Sequence, residues 1–168
     1  PALAVLAAAL AWGWWIAAPA LRAARAAATA AFYLRANMWE MASDALEHAL
    51  RHRPHDAVAR YELGRALARQ GGYDWTGRTW DRAQRQFDRA RELGLNDELL
   101  SHQMALLAER KGALERCLAA GEAAHRIDPD APDVASNLAY WLLTRDRDRP
   151  RALALSARAV AASPRHPL

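Results

Sequence analysis

Cysteine is nearly absent: Cys117 is the one thiol in 168 residues. A lone cysteine excludes an internal disulfide and the paired-cysteine patterns of haem attachment and structural zinc, and it leaves the redox compartment open. Lysine is as scarce. Lys111 stands alone against abundant arginine, which together with so much alanine points to a GC-rich coding sequence and not to a nucleic-acid code. The net charge is only +4, and Arg alternates with Asp and Glu along the helical stretches, where a nucleic-acid binder would show a basic stripe interleaved with aromatics. No nucleic-acid partner is expected. The chain also lacks G-x-S-x-G, H-E-x-x-H and any glycine loop that could cradle phosphate, so neither an enzyme nor a cofactor is expected. Charge of either sign is missing altogether from residues 1–21.

What is present is repetition. In Asp133 to Pro164, apolar residues at Val134, Leu138, Ala139, Leu142 and Leu143 recur at helical spacing. A charged turn follows, and Ala152, Leu153, Leu155, Ala159 and Val160 set a second stripe before Pro164. About 34 residues earlier a similar pair ends at Pro129, another ends near Leu95, and a fourth ends at Pro54. Such a period marks a solenoid, because one helix pair cannot bury its own apolar face and needs stacked neighbours. Apolar residues make up 52% and charged residues 25% of the chain, enough core material for one folded domain.

These registers resemble the tetratricopeptide repeat (TPR) family. The matching second-helix sets are Ala42, Leu46, Ala49, Pro54; Ala83, Phe87, Ala90, Leu95; Cys117, Gly121, Ala124, Pro129; and Ala152, Ser156, Ala159, Pro164. First-helix matches include Tyr33, Leu63-Gly64 and Leu138-Ala139. The resemblance covers roughly residues 22 to 166 and implies an all-α fold. That fold is a right-handed superhelical solenoid of about four helix-turn-helix repeats, over about 22–54, 55–95, 96–129 and 130–164, within a domain spanning 22–168. Two departures stand out. The second repeat carries about seven extra residues and no terminal Pro, and the first is unusually rich in Ala. Cys117 falls where the repeat needs a small packed residue, so a buried structural thiol is expected.

Residues 1–21, PALAVLAAALAWGWWIAAPAL, are long enough as a helix to span a bilayer core. They read as a transmembrane helix that contacts lipid, although Gly13 and Pro19 weaken the helix and Trp12, Trp14 and Trp15 lie near its middle. An Ala-rich helix packed on the first repeat and the remnant of a signal sequence are the alternatives. Arg22, Arg25 and Arg35 follow the run with nothing basic before it. The expected setting is therefore a bacterial inner (plasma) membrane with a single pass and a lean towards a cytoplasmic repeat domain, the periplasmic side staying open. Phe32, Tyr33, Met38, Trp39 and Met41 read as core or headgroup-level contacts, with core the commoner outcome.

Candidate binding residues come from two places. In the resembling family the first helices line a concave groove, and the positions that commonly face it correspond here to Arg35, to Tyr61, Arg65 and Arg69, to His102 and Arg110, and to Tyr140. Tyr61, Arg65 and Arg69 share one helical face on spacing alone, and guanidinium forks beside aromatics suit an acidic or C-terminal peptide. The second place is the insertion GGYDWTGRTW, where Tyr73, Trp75 and Trp80 either offer aromatic anchors to a partner or fold back over neighbouring helix ends. His48 and His52 lie one turn apart, but only Glu47 and Asp56 stand near as further ligands, so no metal site is expected.

The leading expectation is a non-enzymatic, membrane-anchored TPR scaffold that binds a partner protein or, as an assembly factor, helps build or stabilise a membrane complex. Its rival is the last span and C-terminal docking tail of a polytopic membrane enzyme, similar to glycan polymerases or ligases that end in such repeats. A membrane-anchored chaperone of cytochrome maturation is a third reading, against which the arginine flank argues. No capping helix follows the last repeat, so either a partner covers that end or the natural chain is longer.

Overall fold

The computed structural model describes the backbone of residues 2–73 and 77–162, and the side chains of those residues apart from 2–11, 16 and 73. The described elements are α1 (Ala2–Arg35), α2 (Trp39–His52), α3 (Ala57–Gln70), a 3-10 turn (Gly71–Tyr73), α4 (Arg78–Glu92), α5 (Glu98–Arg110), α6 (Leu114–Ile127), α7 (Pro132–Leu143) and α8 (Arg149–Ala162). The chain divides into two compact units, Pro1–Gly94 and Leu95–Leu168.

The first unit holds the pairs α1–α2 and α3–α4, with α2 packed on α3. Asn37, in the left-handed conformation at φ 56°, turns the chain sharply between α1 and α2. The Asp56 carboxylate accepts from the Ala59 backbone N–H at 2.9 Å and caps α3, a contribution of about 1 kcal/mol. Ala42, Ala83 and Ala90 are completely buried, their small side chains allowing the helices to approach closely. Phe87 is also completely buried, its ring lying on Gly64, where an added Cβ would come within 2.5 Å of the ring edge. Arg60 ties the repeat ends together, donating to the Pro54 carbonyl and to Gln86 Oε1, each at 2.8 Å.

The second unit holds α5–α6 and α7–α8, with α6 packed on α7. Asp97 caps α5 through the Leu100 N–H at 2.8 Å, and Pro132 opens α7, where a missing N–H costs no hydrogen bond. Gly112, at φ 67°, makes the tight turn into α6. Cys117, Leu138, Ala139, Trp141, Ala152 and Leu155 form its core. The small second-helix positions Ala42, Ala83, Cys117 and Ala152 are thus all buried. Burial, with a lesser push from Glu109, raises the Cys117 thiol to about 12, which keeps it protonated and poorly nucleophilic at neutral pH.

α1 is one continuous helix through residues 21 and 22, so the apolar segment and the first helix of the first repeat are one element, as the lack of a linker between them implies. The expected membrane span, by contrast, is not supported. Among the described residues no helix is long and apolar enough to cross a membrane. Gly13, Pro19 and three indoles dilute the hydrophobicity of the described part of α1 and Arg22 ends its uncharged run, while the side chains of 1–11 and 16 lie outside the described residues. Phe32 on α1, Met38 in the turn and Met41 on α2 are exposed instead of core, because each helix of the pair buries only one face. Tyr33 and Trp39 are half-buried.

Candidate functional site

The groove candidates fall into two sets, one in each unit. On α3, Tyr61 is buried and its ring lies 6.1 Å from that of Phe87, so it forms floor beneath the surface. Above it sits the Arg65 guanidinium, 5.7 Å from the ring centre and bridged to Glu62 at 2.9 Å. One turn on, Arg69 is exposed and its guanidinium lies over the Trp39 ring of α2 at 5.8 Å. Arg69 makes no ion pair among the described residues. The edge of α2 that carries Trp39 is held by Gln70, whose amide donates at 2.8 Å both to the Trp39 carbonyl and to Ser43 Oγ. Arg35, at the last turn of α1, is exposed.

In the second unit His102 of α5 is nearly enclosed. Its Nε2 lies 2.8 Å from the Asn137 side-chain nitrogen on α7, and its Nδ1 lies 3.7 Å from Glu98. Burial pushes the Glu98 carboxyl above its ordinary range, with Asp128 and Asp97 adding to the rise against the pull of His102. Tyr140, one turn beyond Asn137, is 56% exposed, and Arg110 is exposed at the end of α5.

Aromatic insertion residues separate as well. Trp80 lies in the first turn of α4 with its indole pressed onto Gly71, where any Cβ would overlap the ring. Its Nε1 is buried with no hydrogen-bond partner among the described residues. The Tyr73 side chain and all of Trp75 lie outside the described residues. His48 and His52 stand edge to face at 5.2 Å, and among the described residues no three His, Cys, Asp or Glu side chains could hold a metal ion together.

Sequence reasoning missed the residues that position these groups: Trp39, Ser43 and Gln70 around Arg69, and Glu98 and Asn137 around His102. Asn137 carried a usable signal, since an asparagine inside an otherwise apolar helix is disfavoured unless its amide has a task. The outer helices follow another rule. Arg82 pairs with Glu47 at 2.6 Å, Arg151 with Glu122 through two bonds of 2.7 Å, and Arg158 with Asp130 at 3.1 Å. The first two pairs join second helices of successive repeats, α2 to α4 and α6 to α8, and the third joins α8 to the turn after α6.

No family model and no curated protein matches the sequence. Solved structures do match. MamA aligns with TM-score 0.72 and 16% identity over 85% of this chain and 79% of its own. TTC0263 of Thermus thermophilus, described as a thermophilic TPR protein, aligns with TM-score 0.67 and 21% identity over 81% and 71%. PilF of Pseudomonas aeruginosa aligns with TM-score 0.70 and 15% identity over 89% of this chain and 64% of its own. At these identities the likeness is one of architecture, and with no strand among the described residues the chain has the all-helical TPR fold.

Proposed function

We propose that the chain is a non-enzymatic scaffold that holds a partner protein through an acidic or C-terminal segment, as part of a complex attached to a membrane through α1. The observation that carries this reading is the state of Arg69. Its guanidinium is stacked on Trp39 and exposed, with no carboxylate paired to it among the described residues, whereas Arg82, Arg151 and Arg158 of the outer helices are paired. A guanidinium held by an indole loses little freedom when it takes a carboxylate in two parallel bonds. Arg35 adds positive charge on the same unit. In the second unit His102, Arg110 and Tyr140 are the corresponding candidates, with Asn137 fixing the imidazole. Tyr73, Trp75 and Trp80 remain candidate partner contacts from the insertion, Trp80 through its indole edge.

The test is fluorescence polarisation with short acidic peptides carrying a free C-terminal carboxylate. Arg69→Glu is expected to weaken binding by at least about tenfold, as loss of a charge-assisted pair requires. Trp39→Ala should weaken it less, by removing the stack alone. Unchanged affinity in both variants would remove this surface from the account.

A further inference from the structure

A second cationic surface lies at the base of α1. Arg22, Arg25 and Thr29 recur along one face of that helix and, with Ala26 of α1 and Ala45 and His48 of α2, line an open groove of about 400 Å³. No carboxylate lines it. Thr29 uses its hydroxyl on the Arg25 carbonyl, and neither Arg22, Arg25 nor His48 makes an ion pair among the described residues. The groove therefore presents three basic side chains and no acidic one.

The second observation lies on the same helix. Trp12, Trp14 and Trp15 are 66%, 67% and 71% exposed, and Trp12 and Trp15 touch each other at 5.8 Å. Trp15 precedes Arg22 by two helical turns, about 10 Å along the axis, and Trp14 precedes Arg25 by three. Both indoles therefore emerge on the face that carries the arginines. α2 runs antiparallel to α1, so His48 and then His52 lead towards the tryptophan end. Indoles favour the level between headgroup and acyl chain, and guanidinium favours the phosphate level.

We propose that this face docks on an anionic phospholipid surface, with a lipid phosphate seated between Arg22, Arg25 and His48 and the indoles of Trp14 and Trp15 inserted beside it. The inference rests on the membrane attachment in the functional reading but not on the Arg69 surface. Lipid contact along α1 needs no membrane-spanning length, since an interfacial helix lies along the bilayer surface.

The experiment is flotation of the full chain with vesicles of phosphatidylcholine alone and with phosphatidylglycerol added. Binding is expected with the anionic vesicles, and Arg22→Gln with Arg25→Gln should lower the partition coefficient by about 30-fold, two cationic contacts being removed. Trp14→Ser with Trp15→Ser should also release the protein, while its helical circular dichroism and the peptide affinity at Arg69 stay as they were. Both pairs are exposed, so the fold is preserved; His48→Ala, also exposed, gives a third and milder loss. Equal binding to neutral vesicles with no effect of the arginine changes would overturn the proposal, as would failure to bind anionic vesicles. So would displacement by inorganic phosphate at matched ionic strength, which would make the groove a site for a free anion.

Discussion

Both units fill their cores by laying an aromatic ring on a glycine, yet they do it in opposite directions. In the first, the glycine is Gly64 on α3 and the ring is Phe87 on α4, within one helix pair. In the second, the glycine is Gly121 on α6 and the ring is Trp141 on α7, in the next pair. Phe87 and Gly121 occupy the same place in the repeat. Where that place holds a ring, the pair closes on itself; where it holds glycine, the following pair supplies the missing volume. The repeat thus keeps filled space and not residue type, as close packing of protein interiors demands. The cost differs, because Trp141 Nε1 is buried without a hydrogen-bond partner among the described residues, whereas Phe87 buries no polar atom.

The strongest test of this comparison deletes the rings. Phe87→Ala and Trp141→Ala should each destabilise the protein by about 3–5 kcal/mol, read by urea unfolding. Hydrogen exchange should place the first loss in α3 and α4 and the second in α6 and α7. Adding Gly121→Phe to Trp141→Ala should recover part of the loss by supplying a ring from α6, as Phe87 does from α4. Strict additivity of the two changes would mean that the sites do not share one space.

A smaller effect concerns the edge that presents Trp39. Gln70→Ala removes both bonds made by the amide and should cost about 1–2 kcal/mol in the same urea titration. Peptide affinity should fall too if Trp39 must stay in place beneath Arg69. A stability loss with unchanged affinity would separate that strut from binding.

The smallest effect belongs to the second unit, where the polar cluster is protonatable. Glu98 has its carboxyl raised from the ordinary 4.5, chiefly by burial. Over the interval between 4.5 and the raised folded value, the folded chain holds a proton that the unfolded chain releases. The resulting stabilisation is fully present below 4.5 and is lost as pH rises through the folded value. Urea unfolding of wild type and Glu98→Gln between about pH 4 and 7 checks this, because Gln is neutral throughout. The difference between them should change across that range, and a flat difference would mean that Glu98 titrates alike in both states.

Much of the fold was legible because burial imposes a period. Ala42, Ala83, Cys117 and Ala152 were aligned through the resemblance to the TPR repeat, and all four lie in the core. Phe32, Met38 and Met41 misled for the complementary reason: hydrophobicity favours a covered position but does not provide the neighbour that covers it. Site residues were less legible. The spacing of Tyr61, Arg65 and Arg69 placed them on one helical face, yet their environments diverge: Tyr61 lies beneath the surface, Glu62 pairs with Arg65, and Trp39 carries Arg69. Those partners come from positions a linear pattern does not weigh.

By itself the sequence determined that the chain is helical and that its helices pair, since helix periodicity and repeat length are local quantities, and its resemblance to the TPR repeat implied which small residues face inward. Only the tertiary structure decided which arginines are neutralised and which stand open, and that Gly121 receives its ring from Trp141. The physical reason is that charge pairing and space filling are set between residues roughly 20 to 35 positions apart, where small differences in packing outweigh any preference written into a single helix.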